Sequence, residues 1–129
     1  IAVAGLNPHA GEGGTMGREE IDAIAPGIDR AKAEGIDARG PYPADTIFLA
    51  AKRGDFDAVV TMYHDQGQIA MKLMGFDRGV TVLGGLPVPV ATCAHGTAYD
   101  IVGRNVANPV PLSNAFDLAV EMAARASGR

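Results

Sequence analysis

Ile1-Ala2-Val3-Ala4-Gly5 is a short apolar run that stops at glycine, and Phe56 to Met62 holds another around Ala58-Val59-Val60. Short, continuous apolar runs of this kind read as strands covered on both faces, the habit of parallel sheets. Between them the period changes. Ile21, Ile24, Ile28 and Ala31 recur at three- and four-residue steps over Glu19 to Glu34, one face of a helix, with a break expected at Pro26. Gly35 ends that segment, and Ile36 to Gly40 is a short strand candidate. Pro43-Ala44-Asp45 opens a second helix over Asp45 to Arg53, which Gly54 is placed to cap. Farther along, Gln66 to Leu73 reads as helix, Gly79 to Leu83 as strand, Gly84 to Asp100 as a long loop and Ser113 to Arg125 as helix. No Asn-Gly hairpin signal separates adjacent strands. The pattern predicts an α/β fold with a mostly parallel sheet flanked by helices.

The totals agree with one ordinary globular domain. The chain has 129 residues, 47% hydrophobic and 20% charged, too apolar for a disordered segment. Its formal net charge of −4 argues against a nucleic-acid surface. No run approaches the roughly 18 apolar residues of a membrane span. The single cysteine, Cys93, leaves no pairing within the chain and points to a cytoplasmic setting. A strand at the very first residue, with Ile1 where a methionine would stand, reads as a fragment of something longer.

Ligands of open α/β sheets gather where loops leave the carboxyl ends of strands. Three unusual loops are expected there: Leu6-Asn7-Pro8-His9-Ala10-Gly11-Glu12-Gly13-Gly14, then Tyr63-His64-Asp65-Gln66-Gly67 followed by Lys72, then Ala94-His95-Gly96-Thr97-Ala98-Tyr99-Asp100-Ile101. Each contains one of the three histidines. His9 and His64 are candidate ligands of a divalent ion, with Asp65 or Glu12 as oxygen donors nearby. The alternative is that each histidine hydrogen-bonds its own loop. Lys72 is a candidate for holding an anionic substrate or for proton transfer, against the simpler reading of a solvated helix lysine. The glycines from Gly11 to Gly17 fall as G-x-G-G-x-x-G, which matches neither the dinucleotide fingerprint nor a phosphate loop. They more simply let the backbone pass close to a ligand or to His9. Asp100 could accept hydrogen bonds from a ribose and repel the extra phosphate of NADP, or cap a helix.

Together these loops closely resemble the 4-hydroxythreonine-4-phosphate dehydrogenase family of the vitamin B6 pathway, from Val3 to about Ala123. The stretch from His95 to Asn108 also looks like the NAD loop of isocitrate and isopropylmalate dehydrogenases. The resemblance implies a cytoplasmic two-domain enzyme of roughly 300 or more residues, of which residues 1–129 would be the C-terminal part. It implies a homodimer with a shared active site. It implies a divalent metal ion (Zn, Mg, Mn or Co) held by three histidines, two matching His9 and His64 and the third lying outside this chain. It also implies substrate contacts at Lys72, Thr81 and Val90, with Lys72 and Asp65 in catalytic roles. His95, Gly96, Thr97, Ala98, Asp100 and Asn108 would form the NAD site, and Asp100 favours NAD over NADP. The implied reaction is oxidation of a small hydroxy acid by NAD, followed by loss of carbon dioxide.

Two positions depart from the family's vitamin B6 enzymes, which carry asparagine at Thr81 and arginine at Val90. Valine cannot replace an arginine that grips a carboxylate or phosphate bidentately. The departures point to side branches acting on four-carbon sugar-acid phosphates, such as threonate or erythronate 4-phosphate, or on cis-dihydrodiols of aromatic carboxylates. A reading from another class is a non-catalytic α/β binding module, which holds if the 129 residues are the native product.

Overall fold

Strand β1 (Ala2–Ala4) occupies the centre of a three-stranded parallel sheet, with β2 (Arg39–Tyr42) on one side and β3 (Val59–Val60) on the other. This is a computed structural model, and it describes residues 1–126 and 128. All three residues of β1 are buried, because its two faces are both covered. Ala2 and Ala4 pack with Ile47 of helix α2 (Ile47–Arg53), and half-buried Tyr42, Phe48, Phe56 and Val59 close around them. The intervening Val3 points the other way, onto Ile28 of helix α1 (Ala25–Ala33) and Ala38, backed by Ile24, Ala31 and Met62. Side chains alternate across a strand, so three residues feed two separate layers. Tyr42 and Phe56 meet in a tilted pair, with centroids 5.6 Å apart and planes at 50°.

The break expected at Pro26 is a change of helix type. A wider π turn over Glu20–Ile24 runs into α1, and Pro26 sits in the first turn of α1, where its missing N–H is not needed. The helix predicted from Asp45 starts at Ile47 and ends as expected on Gly54 at φ 89°. The strand predicted over Ile36 to Gly40 starts three residues later, at Arg39, and ends at Tyr42.

The chain divides into two units, Ile1–Ala70 and Met71–Arg129. Helix α3 (His64–Gly75) starts two residues before the predicted Gln66 and contains the division. In the second unit, β4 (Val80–Leu83) pairs antiparallel with β5 (Val90–Cys93), and helix α4 (Val110–Ala126) follows. Strand β5 corrects the expectation of an unbroken loop from Gly84 to Asp100. Pro87 and Pro89 hid it in the sequence, yet both lie outside the paired residues and leave the ladder intact. Helix α4 begins three residues before the predicted Ser113, with Pro111 tolerated in its first turn. Among the described residues no helix is long and apolar enough to cross a membrane.

Candidate functional site

Because β1 and β3 are parallel neighbours, the loops that leave their carboxyl ends emerge on one edge of the sheet. The first carries His9 and the second His64. The His9 loop folds into a tight turn, Pro8–Gly14, in which six consecutive residues have positive φ: His9 (54°), Ala10 (52°), Gly11 (82°), Glu12 (43°), Gly13 (66°) and Gly14 (100°). Left-handed backbone costs a non-glycine residue roughly 1–2 kcal/mol, so the turn persists only where its surroundings hold it.

Glu20 supplies that hold. It is the buried charged residue beneath the turn, 3% exposed. Its carboxylate accepts the Asn7 backbone N–H at 2.7 Å and the Asn7 side-chain amide at 2.9 Å. Burial pushes the Glu20 carboxyl up, but the hydrogen bonds from the Asn7 side chain and from the backbone of Asn7, Glu20 and Leu6 together outweigh it and hold the group below its ordinary value. Gly11 must be glycine here for a second reason. A Cβ on it would stand 2.6 Å from a Glu20 carboxylate oxygen.

The turn leaves the His9 ring exposed, with Nδ1 at 2.7 Å from Glu12 Oε1. A carboxylate accepts, so Nδ1 carries a proton, and in the neutral ring Nε2 holds the lone pair. Metal-binding histidines share this arrangement, the carboxylate fixing tautomer and ring orientation. His9 lines a cavity of about 280 Å³ with Leu6, Asn7, Pro8, Ala44, Asp45, Tyr63 and Gln66. The cavity thus joins His9 to two residues of the His64 loop. His64 itself opens α3 and is exposed, as is Asp65 beside it. Among the described residues no three His, Cys, Asp or Glu side chains gather closely enough to hold a metal ion. The donor chemistry fits part of a cation site, with His9 ready to offer one nitrogen and His64 on the neighbouring loop.

The remaining predicted residues belong to the second unit. Lys72 is exposed on α3, its Nζ 5.9 Å from the centre of the Phe76 ring, within cation–π range. Thr81 and Val90 lie on the antiparallel pair, Thr81 opposite Thr92 and Val90 opposite Leu83, both half-buried. His95, Thr97 and Ala98 line a cavity of about 500 Å³ with Ile101, Val102, Gly103, Asn105, Val106 and Ala107. His95 Nδ1 donates to the Gly96 carbonyl at 2.9 Å. Ala98 is left-handed at φ 51°, and Asp100 lies exposed in the short turn Tyr99–Ile101 that follows. Asn108 has a structural occupation, its side-chain oxygen accepting the Val110 N–H at 3.1 Å at the start of α4.

Sequence reading missed Gln66 and Glu20. Gln66 Oε1 accepts the Met62 N–H at 2.8 Å, and its Nε2 donates to the Gly5 carbonyl at 2.9 Å. The available signal for Glu20 was a charge just before a helical apolar face, which usually marks a solvated helix start.

Comparison with known proteins places these loops in context. The family model described as pyridoxal phosphate biosynthetic protein PdxA matches residues 1–119. A Pseudomonas aeruginosa relative, provisionally named 4-hydroxythreonine-4-phosphate dehydrogenase 2, is 62% identical over 125 residues, covering 95% of this chain and 37% of the relative. The 4-hydroxythreonine-4-phosphate dehydrogenase of Beijerinckia indica is 56% identical over 122 residues, covering 95% and 36%. Among solved structures, 4-hydroxythreonine-4-phosphate dehydrogenase from Klebsiella pneumoniae superposes with a TM-score of 0.81 at 44% identity, covering 95% of this chain and 37% of that one. A terephthalate 1,2-cis-dihydrodiol dehydrogenase from Burkholderia xenovorans superposes with a TM-score of 0.58 at 35% identity, covering 92% and 38%. The chain therefore spans little more than a third of the length of the proteins it matches.

Proposed function

The chain belongs to the family of pyridoxal phosphate biosynthetic protein PdxA, and from that premise we propose that it forms part of a metal- and NAD-dependent dehydrogenase acting on a small, phosphorylated hydroxy acid, with loss of carbon dioxide after oxidation. The observation that carries the reading is the His9–Glu12 pair, in which the carboxylate engages Nδ1 and leaves Nε2 as the nitrogen for a cation, on a strained turn at the same sheet edge as the His64 loop. His9 and His64 would hold the cation. When bound, a divalent ion such as Zn, Mg, Mn or Co supplies a Lewis acid for the substrate oxygen, and NAD supplies the hydride acceptor. Asp65 and Lys72 serve proton transfer, and the Lys72 ammonium also binds the substrate's anionic group. Thr81 and Val90 contact the substrate. His95, Gly96, Thr97, Ala98 and Asp100 shape the NAD site, where the Asp100 carboxylate disfavours the extra phosphate of NADP. Asn108 contributes through its amide nitrogen, since its oxygen is taken by α4. The enzyme is a homodimer in the cytoplasm.

Replacing His64 with alanine in the intact protein is expected to abolish turnover and weaken metal binding. Unchanged metal content and turnover in that variant would remove His64 from the site. A second reading, a dihydrodiol dehydrogenase of aromatic carboxylate breakdown, is favoured by Val90, which cannot grip a phosphate as arginine does, and by the likeness to the dihydrodiol enzyme. Assay of the intact protein on phosphorylated hydroxy acids and on cis-dihydrodiols, each with NAD and NADP, separates the two.

A further inference from the structure

We propose that Gln66 is a positioning residue for the cation site, its side-chain amide setting the separation of the two histidine loops. The inference rests on the metal reading above. The parallel pairing of β1 and β3 matches Ala2 with Val59 and Val3 with Val60. Two residues beyond this last pair stand Gly5 and Met62, which a continued ladder would set opposite each other. The Gln66 amide bridges them instead. It accepts the Met62 N–H at 2.8 Å and donates to the Gly5 carbonyl at 2.9 Å, reaching 61 residues back along the chain. Met62 lies two residues before His64, and Gly5 four residues before His9. The bridge is thus the point from which both loops depart, and Gln66 also lines the cavity that His9 enters.

The chemistry demands an amide. One donor and one acceptor must sit at the same end of a side chain of this length. A carboxylate would set oxygen against the Gly5 carbonyl, and an apolar side chain would leave both main-chain groups unpaired in a half-buried place.

The test uses the intact protein titrated with Co²⁺, followed by the visible absorption of the bound ion, for wild type, Gln66→Glu, Gln66→Met and His64→Ala. Far-ultraviolet circular dichroism reports the fold of each. Gln66→Glu and Gln66→Met are expected to keep the circular dichroism of the wild type, bind Co²⁺ about tenfold to a hundredfold more weakly, and show an altered ligand-field band. Should Gln66→Glu not fold, Gln66→Met alone bears the same expectation. Wild-type affinity and band in Gln66→Met, with His64→Ala impaired, would overturn the positioning role and leave the cation site standing. Wild-type Co²⁺ binding in His64→Ala would instead overturn the metal reading, and the positioning role with it.

Discussion

Two carboxylates serve the His9 turn in different ways. Glu12 is exposed and acts on the imidazole directly, while Glu20 is buried and acts on the main chain that carries it. The Glu20 carboxyl titrates below its ordinary value of 4.5, since its hydrogen bonds, that from the Asn7 side chain the largest, together outweigh its desolvation. A carboxyl lowered by folding contributes stability that is fully present above the unfolded value and lost as pH falls through the folded one. The Asn7 side-chain amide also donates to the exposed Glu19 carboxylate at 2.6 Å. The Asn7 amide should therefore be protected from hydrogen exchange above pH 4.5 and lose protection progressively in more acid solution. Measured by nuclear magnetic resonance, that acid-side loss should be much reduced in Glu20→Gln, whose neutral amide has no charge to lose. A Glu20→Gln profile identical to wild type would count against the role.

At the scale of elements, the left-handed turn Pro8–Gly14 makes a contrast between two of its glycines. A Cβ on Gly11 meets the Glu20 carboxylate at 2.6 Å, whereas a Cβ on Gly13 has no heavy atom within 4 Å, although both are left-handed. Gly13→Ala should lose only the backbone component, about 1 kcal/mol. Gly11→Ala should lose that and more, because the buried carboxylate has to shift. Urea unfolding of the two variants checks the order, and equal losses would argue against the close approach. Much of the architecture was legible. The apolar runs at Ile1 to Ala4 and around Val59 announce strands covered on both sides, and the period of Ile21, Ile24, Ile28 and Ala31 announces a helix. Strand β5 was not legible, because its partner is joined through a proline-bearing connection without hairpin chemistry. The left-handed turn was legible only as an excess of glycine, since three of its six positive-φ residues (His9, Ala10 and Glu12) carry side chains that prefer right-handed backbone. The histidines could be named as candidates, but the Glu12 and Gln66 contacts depend on where β1 and β3 end, which no local pattern states.

At the scale of the molecule, the candidate metal residues fall in Ile1–Ala70, and Lys72, Thr81, Val90 and the candidate NAD residues in Met71–Arg129. Helix α4 leaves Leu112, Phe116 and Val120 exposed at 63%, 67% and 51%. Their four-residue spacing sets them along one stripe of the helix, apolar surface that the homodimer reading proposed above would place against a partner subunit. In the homodimer reading, the intact protein sediments at twice its chain mass, and Phe116→Asp moves it toward the monomer. Sedimentation of wild type at the single-chain mass would sink that reading. The Gln66 bridge grips main-chain atoms at both ends, and this shapes how the site can diverge. The side chains at the gripped positions take no part in the bond, so drift at Met62 leaves it intact and calls for no compensating change elsewhere. Across a set of relatives such a tie would leave no correlated pair of substitutions, and contact inference from covariation would pass over it.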